Sequence, residues 1–152
     1  MIKENSRECT VCVTSEQRGI DGETQIFETK SRGRLSEKER ALYVLYEEIV
    51  EELQEKTASM PEMTVKNLLK IEEEPLRVSL KKSGAVSWKI TFEQGKREVS
   101  EYGTPCGMLQ IGADTKRITL KKEQKKTSLL LLYTLLIQGE KQADCRLEIE
   151  IL

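Results

Sequence analysis

The residues of this chain best suited to chemistry are a cysteine between a proline and a glycine (Pro105, Cys106, Gly107), a CxxC pair (Cys9 and Cys12), the carboxylate runs Glu47-Glu48, Glu51-Glu52 and Glu72 to Glu74, and Tyr102 just before the cysteine turn. A cysteine acts as a nucleophile through its thiolate, which a histidine, a helix N-terminus or a cationic neighbour must favour. A CxxC pair is redox-active where it opens a helix, and is half of a zinc site where a second pair completes it. Clustered carboxylates bind hard cations or share protons in acid–base catalysis.

The rest of the sequence removes most of these options. There is no histidine, so Cys-His and Ser-His pairs, histidine general bases and most metal sites are ruled out. No second CxxC exists, and Cys9 and Cys12 alternate with their neighbours as on a strand, where the two thiols point to opposite faces. The carboxylate spacing fits no EF-hand loop, and a solvated face is the simpler account of it. Walker, GxGxxG and GxSxG motifs are absent, so nucleotide and hydrolase chemistry lack a starting point. Neither a metal nor a cofactor is expected, and a binding role is favoured over an enzymatic one.

The elements that must position these residues follow a period of two. In the last ten residues Cys145, Leu147, Ile149 and Ile151 share one parity, and Asp144, Arg146, Glu148 and Glu150 the other, which marks a strand with one buried face. The same alternation sets Leu76, Val78 and Leu80 against Arg77, Ser79 and Lys81, and Val86, Trp88, Ile90 and Phe92 against Ser87, Lys89 and Thr91. It recurs at Val65, Leu69 and Ile71, at Leu109 and Ile111, and at Ile118 and Leu120. Polar turns separate the runs: Asp21-Gly22, Lys81 to Gly84, Glu93 to Lys96, Lys122 to Lys126 and Gln138 to Lys141. Leu42, Leu45, Tyr46, Ile49 and Leu53 keep helical spacing. The β-favoured residues of Ala41 to Tyr46 nevertheless predict a strand to about Glu48, followed by a helical turn or loop insertion over 49–63.

Composition sets the class. The 152 residues suffice for one domain over 1–152 with a core of its own, at 34% charged and 38% hydrophobic residues. The 25 basic and 26 acidic residues nearly cancel, without the positive excess that replaces counterions on nucleic acid. The basic cluster Lys121, Lys122, Lys125 and Lys126 falls at a turn and lacks interleaved aromatics, so nucleic acid is not an expected partner. The N-terminus has no apolar leader, and the longest apolar run, Leu129 to Ile137, falls short of the roughly 20 residues a spanning helix needs. A cytoplasmic protein with free thiols and no membrane partner is expected.

In order along the chain, Gly33 to Leu35, Leu45 to Glu48, Ser83 to Trp88, Tyr102 to Leu120 and Leu129 to Gly139 resemble the YwiB-like (DUF1934) family of bacterial proteins. The most specific part is similar to the family's Thr-Pro-Phe-Gly turn and following Thr-Lys pair, here Thr104, Pro105, Cys106, Gly107, Thr115 and Lys116. The resemblance implies a calycin- or lipocalin-like barrel and no established activity. Cys106 stands where that pattern has phenylalanine, which favours a packed thiol in a structural turn, and the segment after the Tyr46-Glu47-Glu48 strand is longer than the family's connection.

The expectation is therefore an all-β antiparallel calycin-like barrel of about eight to ten strands, binding a small apolar or amphipathic ligand inside. Trp88, Phe92, Tyr102 and Leu109 are candidates to line the interior, and Glu47 is the candidate carboxylate at its mouth. A barrel with a filled core that contacts other proteins, and an enzyme using mouth carboxylates with Tyr102, are the alternatives. Oligomeric state is left unassigned.

Overall fold

The structure, a computed structural model, describes residues 5–50, 63–84, 87–104 and 107–152. Cys106, and most of the stretch expected to hold a helical turn or loop between 49 and 63, lie outside the described residues.

Ten strands follow in order: β1 (Asn5–Gly19), β2 (Thr24–Lys38), β3 (Ala41–Val50), β4 (Met63–Glu73), β5 (Leu76–Ser83), β6 (Trp88–Glu93), β7 (Arg97–Thr104), β8 (Gly107–Lys122), β9 (Thr127–Ile137) and β10 (Glu140–Ile151). All belong to one antiparallel sheet in the order β6-β5-β4-β3-β2-β1-β10-β9-β8-β7. It is a meander in which the chain's two ends meet in the middle, β1 against β10, with Val11 opposite Ile151 and Val13 opposite Ile149. The all-β antiparallel barrel and its strand number agree with the sequence expectation. The helical spacing of Leu42, Leu45 and Tyr46 yields to strand, because Leu42, Val44 and Tyr46 are the buried parity and Leu45 is exposed. No helix among the described residues is long and apolar enough to cross a membrane.

Rolling the sheet up brings β6 to β7 and β8, and a turn closes the gap. The Gly95 N–H donates to the Thr115 carbonyl at 2.8 Å, and the Thr115 N–H donates to the Lys96 carbonyl at 3.1 Å. The Gln94 side-chain oxygen accepts from the Ile118 N–H at 3.1 Å. These three bonds grip β8 where its register with β9 slips between Thr115 and Arg117. The slip is a β-bulge, and it reverses parity. Before it Ala113 and Thr115 are buried, and after it Ile118 is. Ion pairs from Lys122 to Glu73 (2.6 Å) and from Arg77 to Glu98 (3.9 Å) also bridge this join.

The barrel has two unlike ends. One carries the β2–β3, β4–β5, β6–β7 and β8–β9 turns and both chain ends, and its interior is filled. Val11, Val44, Leu69, Ile71, Val78, Phe92, Leu129, Leu131, Ile149 and Ile151 are 0–2% exposed. Each such side chain contributes about 1.5–3 kcal/mol relative to exposure. The other end carries the β1–β2, β5–β6 and β9–β10 turns, and there the wall splits. β2 pairs with β1 from Thr24 to Glu37 but with β3 only from Gly33 to Lys38. Beyond Tyr46, β3 pairs with β4 alone. The split begins at Gly33, where a Cβ would sit 2.9 Å from the Leu45 carbonyl oxygen and 3.0 Å from Val11 Cγ2. Only glycine lets the strands approach so closely before they part.

Two substitutions test these joints. Gln94→Ala leaves the Ile118 N–H without its acceptor and is expected to lower unfolding free energy by about 1–3 kcal/mol in urea titration. Gly33→Ala forces β2 away from Val11 and Leu45 and is expected to cost about 1–3 kcal/mol by the same measurement.

Candidate functional site

The split end contains a cavity of about 230 Å³. Its floor is apolar, made by Leu80, Leu147, Ile149 and Val13, with the Tyr133 ring set into it. Ser15 and Gln17 of β1 and Phe27 and Thr29 of β2 form one wall; Tyr46 and Glu48 of β3, Lys82 of β5 and Trp88 of β6 form the other.

The second wall follows from strand register. Tyr46 lies opposite Asn67, Asn67 opposite Lys82, and Lys82 opposite Trp88, so one inward row crosses four adjacent strands. Period-two alternation would make such a row apolar, and here it is mostly polar. The Lys82 ammonium lies 3.5 Å from a Glu48 carboxylate oxygen and 5.8 Å from the centre of the Trp88 ring. Both ion-pair side chains are largely shielded, at 22% and 17% exposure, which strengthens the pair and the cation–π contact compared with open surface.

Asn67 is fully buried, and its amide donates only a long 3.5 Å bond to the Val65 carbonyl. Its side-chain oxygen has no hydrogen-bond partner among the described residues. Burial, with the Glu48 charge as a second cause, pushes the Tyr46 hydroxyl well above the ordinary tyrosine range. Burial likewise raises Tyr133, helped by its contact with Cys145, so both phenols stay protonated as donors. The Tyr133 ring leans on Phe92 with centroids 4.8 Å apart, an edge-tilted contact that ties the cavity floor to the filled core.

The five residues singled out in the sequence fall in four places. Trp88 lines the cavity. Phe92 has the same inward parity but is 1% exposed, within the packed core beneath Tyr133. Tyr102 and Leu109 lie opposite one another on β7 and β8, both half-buried and away from the cavity wall. Glu47 faces outward, in a surface depression beside Arg32, Arg34 and Lys66, and it is Glu48 that turns inward. Sequence reasoning missed Asn67, Lys82, Tyr46 and Tyr133. Parity was the available signal, since Asn67 shares the face of Val65 and Leu69, and Lys82 that of Val78 and Leu80.

The other candidate chemistry disperses. Cys9 is buried inside β1 and Cys12 is not, and Cys9, Cys12 and Cys145 are free thiols. Burial raises the pKa of Cys9 and Cys145, away from reactive thiolate. No group of three or more His, Cys, Asp or Glu side chains among the described residues could hold a metal ion. In the lysine cluster, Lys122 and Lys126 are ion-paired with Glu73 and Glu150.

The family model for the domain of unknown function DUF1934 matches residues 11–149, from the middle of β1 to the end of β10. The chain belongs to the DUF1934 family. The crystal structure of the ywiB protein from Bacillus subtilis superposes with a TM-score of 0.73 at 21% identity, covering 95% of this chain and 92% of that one. At that identity the likeness shows a shared fold. No curated protein matches the sequence.

Within this DUF1934 barrel, Asn67 offers a direct test. Replacing an amide whose oxygen is buried without a partner by a similarly sized apolar residue removes an uncompensated desolvation. Asn67→Leu is expected to raise stability by about 1–2 kcal/mol in chemical denaturation. Asn67→Asp, which buries a charge, is expected to lower it.

Proposed function

We propose that this DUF1934 protein is a non-enzymatic binder of a compact amphipathic molecule held in the open end of its barrel. The observation that carries the reading is the cavity of about 230 Å³, with an apolar floor and a polar wall of Glu48, Lys82, Trp88 and Tyr46. Ligand sites combine apolar lining with a few converging polar groups in this way, and typical pockets run to roughly 300–1,000 Å³. The smaller volume here selects a short ligand. Its apolar body would lie on Leu80, Leu147 and Ile149, and its polar end would meet the Glu48–Lys82 pair, displacing one partner from the other.

The near balance of 25 basic and 26 acidic residues supports a small molecule over nucleic acid as the partner. The absence of histidine supports binding over catalysis. A cytoplasmic setting fits the free thiols.

Trp88 is the chain's single tryptophan and so reports on the cavity directly. Octanoate, octanol and octylamine present one apolar body with three polar ends. At least one is expected to shift or quench Trp88 emission and, at a hundredfold excess over its Kd, to stabilise the fold by about 2.7 kcal/mol. Ser15→Phe, which fills the mouth beside Leu147 and Phe27, should abolish the signal without unfolding the barrel. If none of the three perturbs Trp88 or the melting temperature, the cavity does not take ligands of this class and the reading fails.

A further inference from the structure

The splitting of β2 from β3 leaves a second feature, independent of any ligand. From Thr24 to Arg32 β2 has β1 on one side and no ladder partner on the other among the described residues. Residues Thr24 to Lys30 are all exposed, and Ile26 and Phe27 are 61% and 54% exposed. A long edge with large apolar side chains and unpaired amides is what folded proteins normally shorten, cover or pair. There is no proline and no glycine in this stretch to break it.

The charges along the edge say what pairs with it. On the outer parity the sequence runs Thr24, Ile26, Glu28, Lys30, Arg32; on the inner, Gln25, Phe27, Thr29, Ser31. Two copies of this edge set antiparallel about a two-fold axis must pair residues of like parity, which limits the registers. Centring on Glu28 opposes Glu28 to itself, and centring on Lys30 opposes Lys30 to itself. Centring on Thr29 opposes Glu28 of each copy to Lys30 of the other, twice by symmetry, with Thr29 facing Thr29, Ile26 facing Arg32 and Phe27 facing Ser31. Opposite charges and threonine pairs directly across strands are favourable, and like charges are not. Neither Glu28 nor Lys30 makes an ion pair within the chain among the described residues, where Thr14 and Cys12 lie across from them on β1.

We propose that the protein forms a two-fold dimer by antiparallel pairing of β2 with β2 of a second copy, centred on Thr29. The added strand runs along the split, beside Phe27 and Thr29 where they line the cavity, and so walls the cavity on its open side. The dimer thus controls access to the cavity whether or not a ligand is present.

Charge exchange tests the register. Sedimentation equilibrium of the wild-type protein should give a dimer whose dissociation constant rises about tenfold or more in Glu28→Lys and in Lys30→Glu, since each turns two attractive cross-strand pairs into two repulsive ones. The double variant Glu28→Lys, Lys30→Glu should restore the wild-type constant. Both sites are on the exposed part of β2, so circular dichroism should be unchanged in all three, as should the melting temperature at protein concentrations well below the wild-type dissociation constant, where every variant is monomeric. Hydrogen exchange should show the alternate amides of residues 26–32 that point away from β1 protected in the dimer and fast in Glu28→Lys. A wild-type monomer overturns the proposal, as does a dimer indifferent to the single charge changes or a double variant that fails to recover. Protection of those edge-facing amides in a monomeric Glu28→Lys variant also overturns it, because the chain's own residues would then cover the edge.

Discussion

The structure depends on closing the sheet between β6 and β8. An open sheet of ten twisted strands exposes two edges and cannot enclose a core, whereas a closed one buries the inward parity of every strand at once. Closure here rests on few bonds. One turn, from Glu93 to Lys96, is stitched to β8 through Gly95, Lys96 and the Gln94 side chain. The bulge makes the stitch possible by turning the backbone of Thr115 toward that turn. It also explains the buried Thr115 hydroxyl that lacks a partner among the described residues, because the residue's position is fixed by its main chain and its side chain follows. Protonation of Glu93 acts on the same turn. Its carboxylate is held below the ordinary range by the Lys96 ammonium, so the contact is present at neutral pH and is lost as pH falls through that depressed value.

With the join made, the remaining irregularity is concentrated at the opposite wall. Gly33 brings β2 against Leu45 and Val11, and past it β2 continues as the edge of the β1–β10 side of the sheet while β3 turns away with β4. The interior widens there, and side chains that fill the other end leave about 230 Å³ open. Cavity and exposed strand edge are thus two results of one event, the parting of two strands at a glycine. That is why Phe27 and Thr29 appear both on the cavity wall and in the unpaired part of β2.

Much of the architecture was legible in the sequence because burial imposes period two on each strand. The alternation of Cys145, Leu147, Ile149 and Ile151 reads directly as β10, with each of the four 1–8% exposed. Turn chemistry placed most hairpins, since a meander connects neighbours through short polar loops. What alternation could not give was closure. Leu109 and Ile111 are odd, Ile118 and Leu120 even, and the change of parity between them was the trace of the bulge, readable only once one strand is known to run through both pairs. Nor does parity say which end of a barrel is filled. Trp88 and Phe92 share a face of β6, yet one lines the cavity and the other lies in the packed core. Glu47 and Glu48 differ by one residue, and the register of β3 sends the second inward.

The polar row is the strongest departure from a generic barrel. Tyr46, Asn67, Lys82 and Trp88 occupy inward positions on four neighbouring strands, where leucine or valine would satisfy the alternation at no desolvation cost. An unpartnered buried amide costs about 1–3 kcal/mol, against a total stability of about 5–15 kcal/mol for an ordinary domain. A purely structural origin would scatter such departures around the barrel, at whatever points the backbone is irregular, as Thr115 is at the bulge. Here four of them form one row, in which Tyr46, Lys82 and Trp88 line the cavity and Asn67 lies between Tyr46 and Lys82, around a lysine held between a carboxylate and an indole. Departures from local rules gather at functional sites in proteins generally, and in this barrel the row that departs from the alternation borders the cavity.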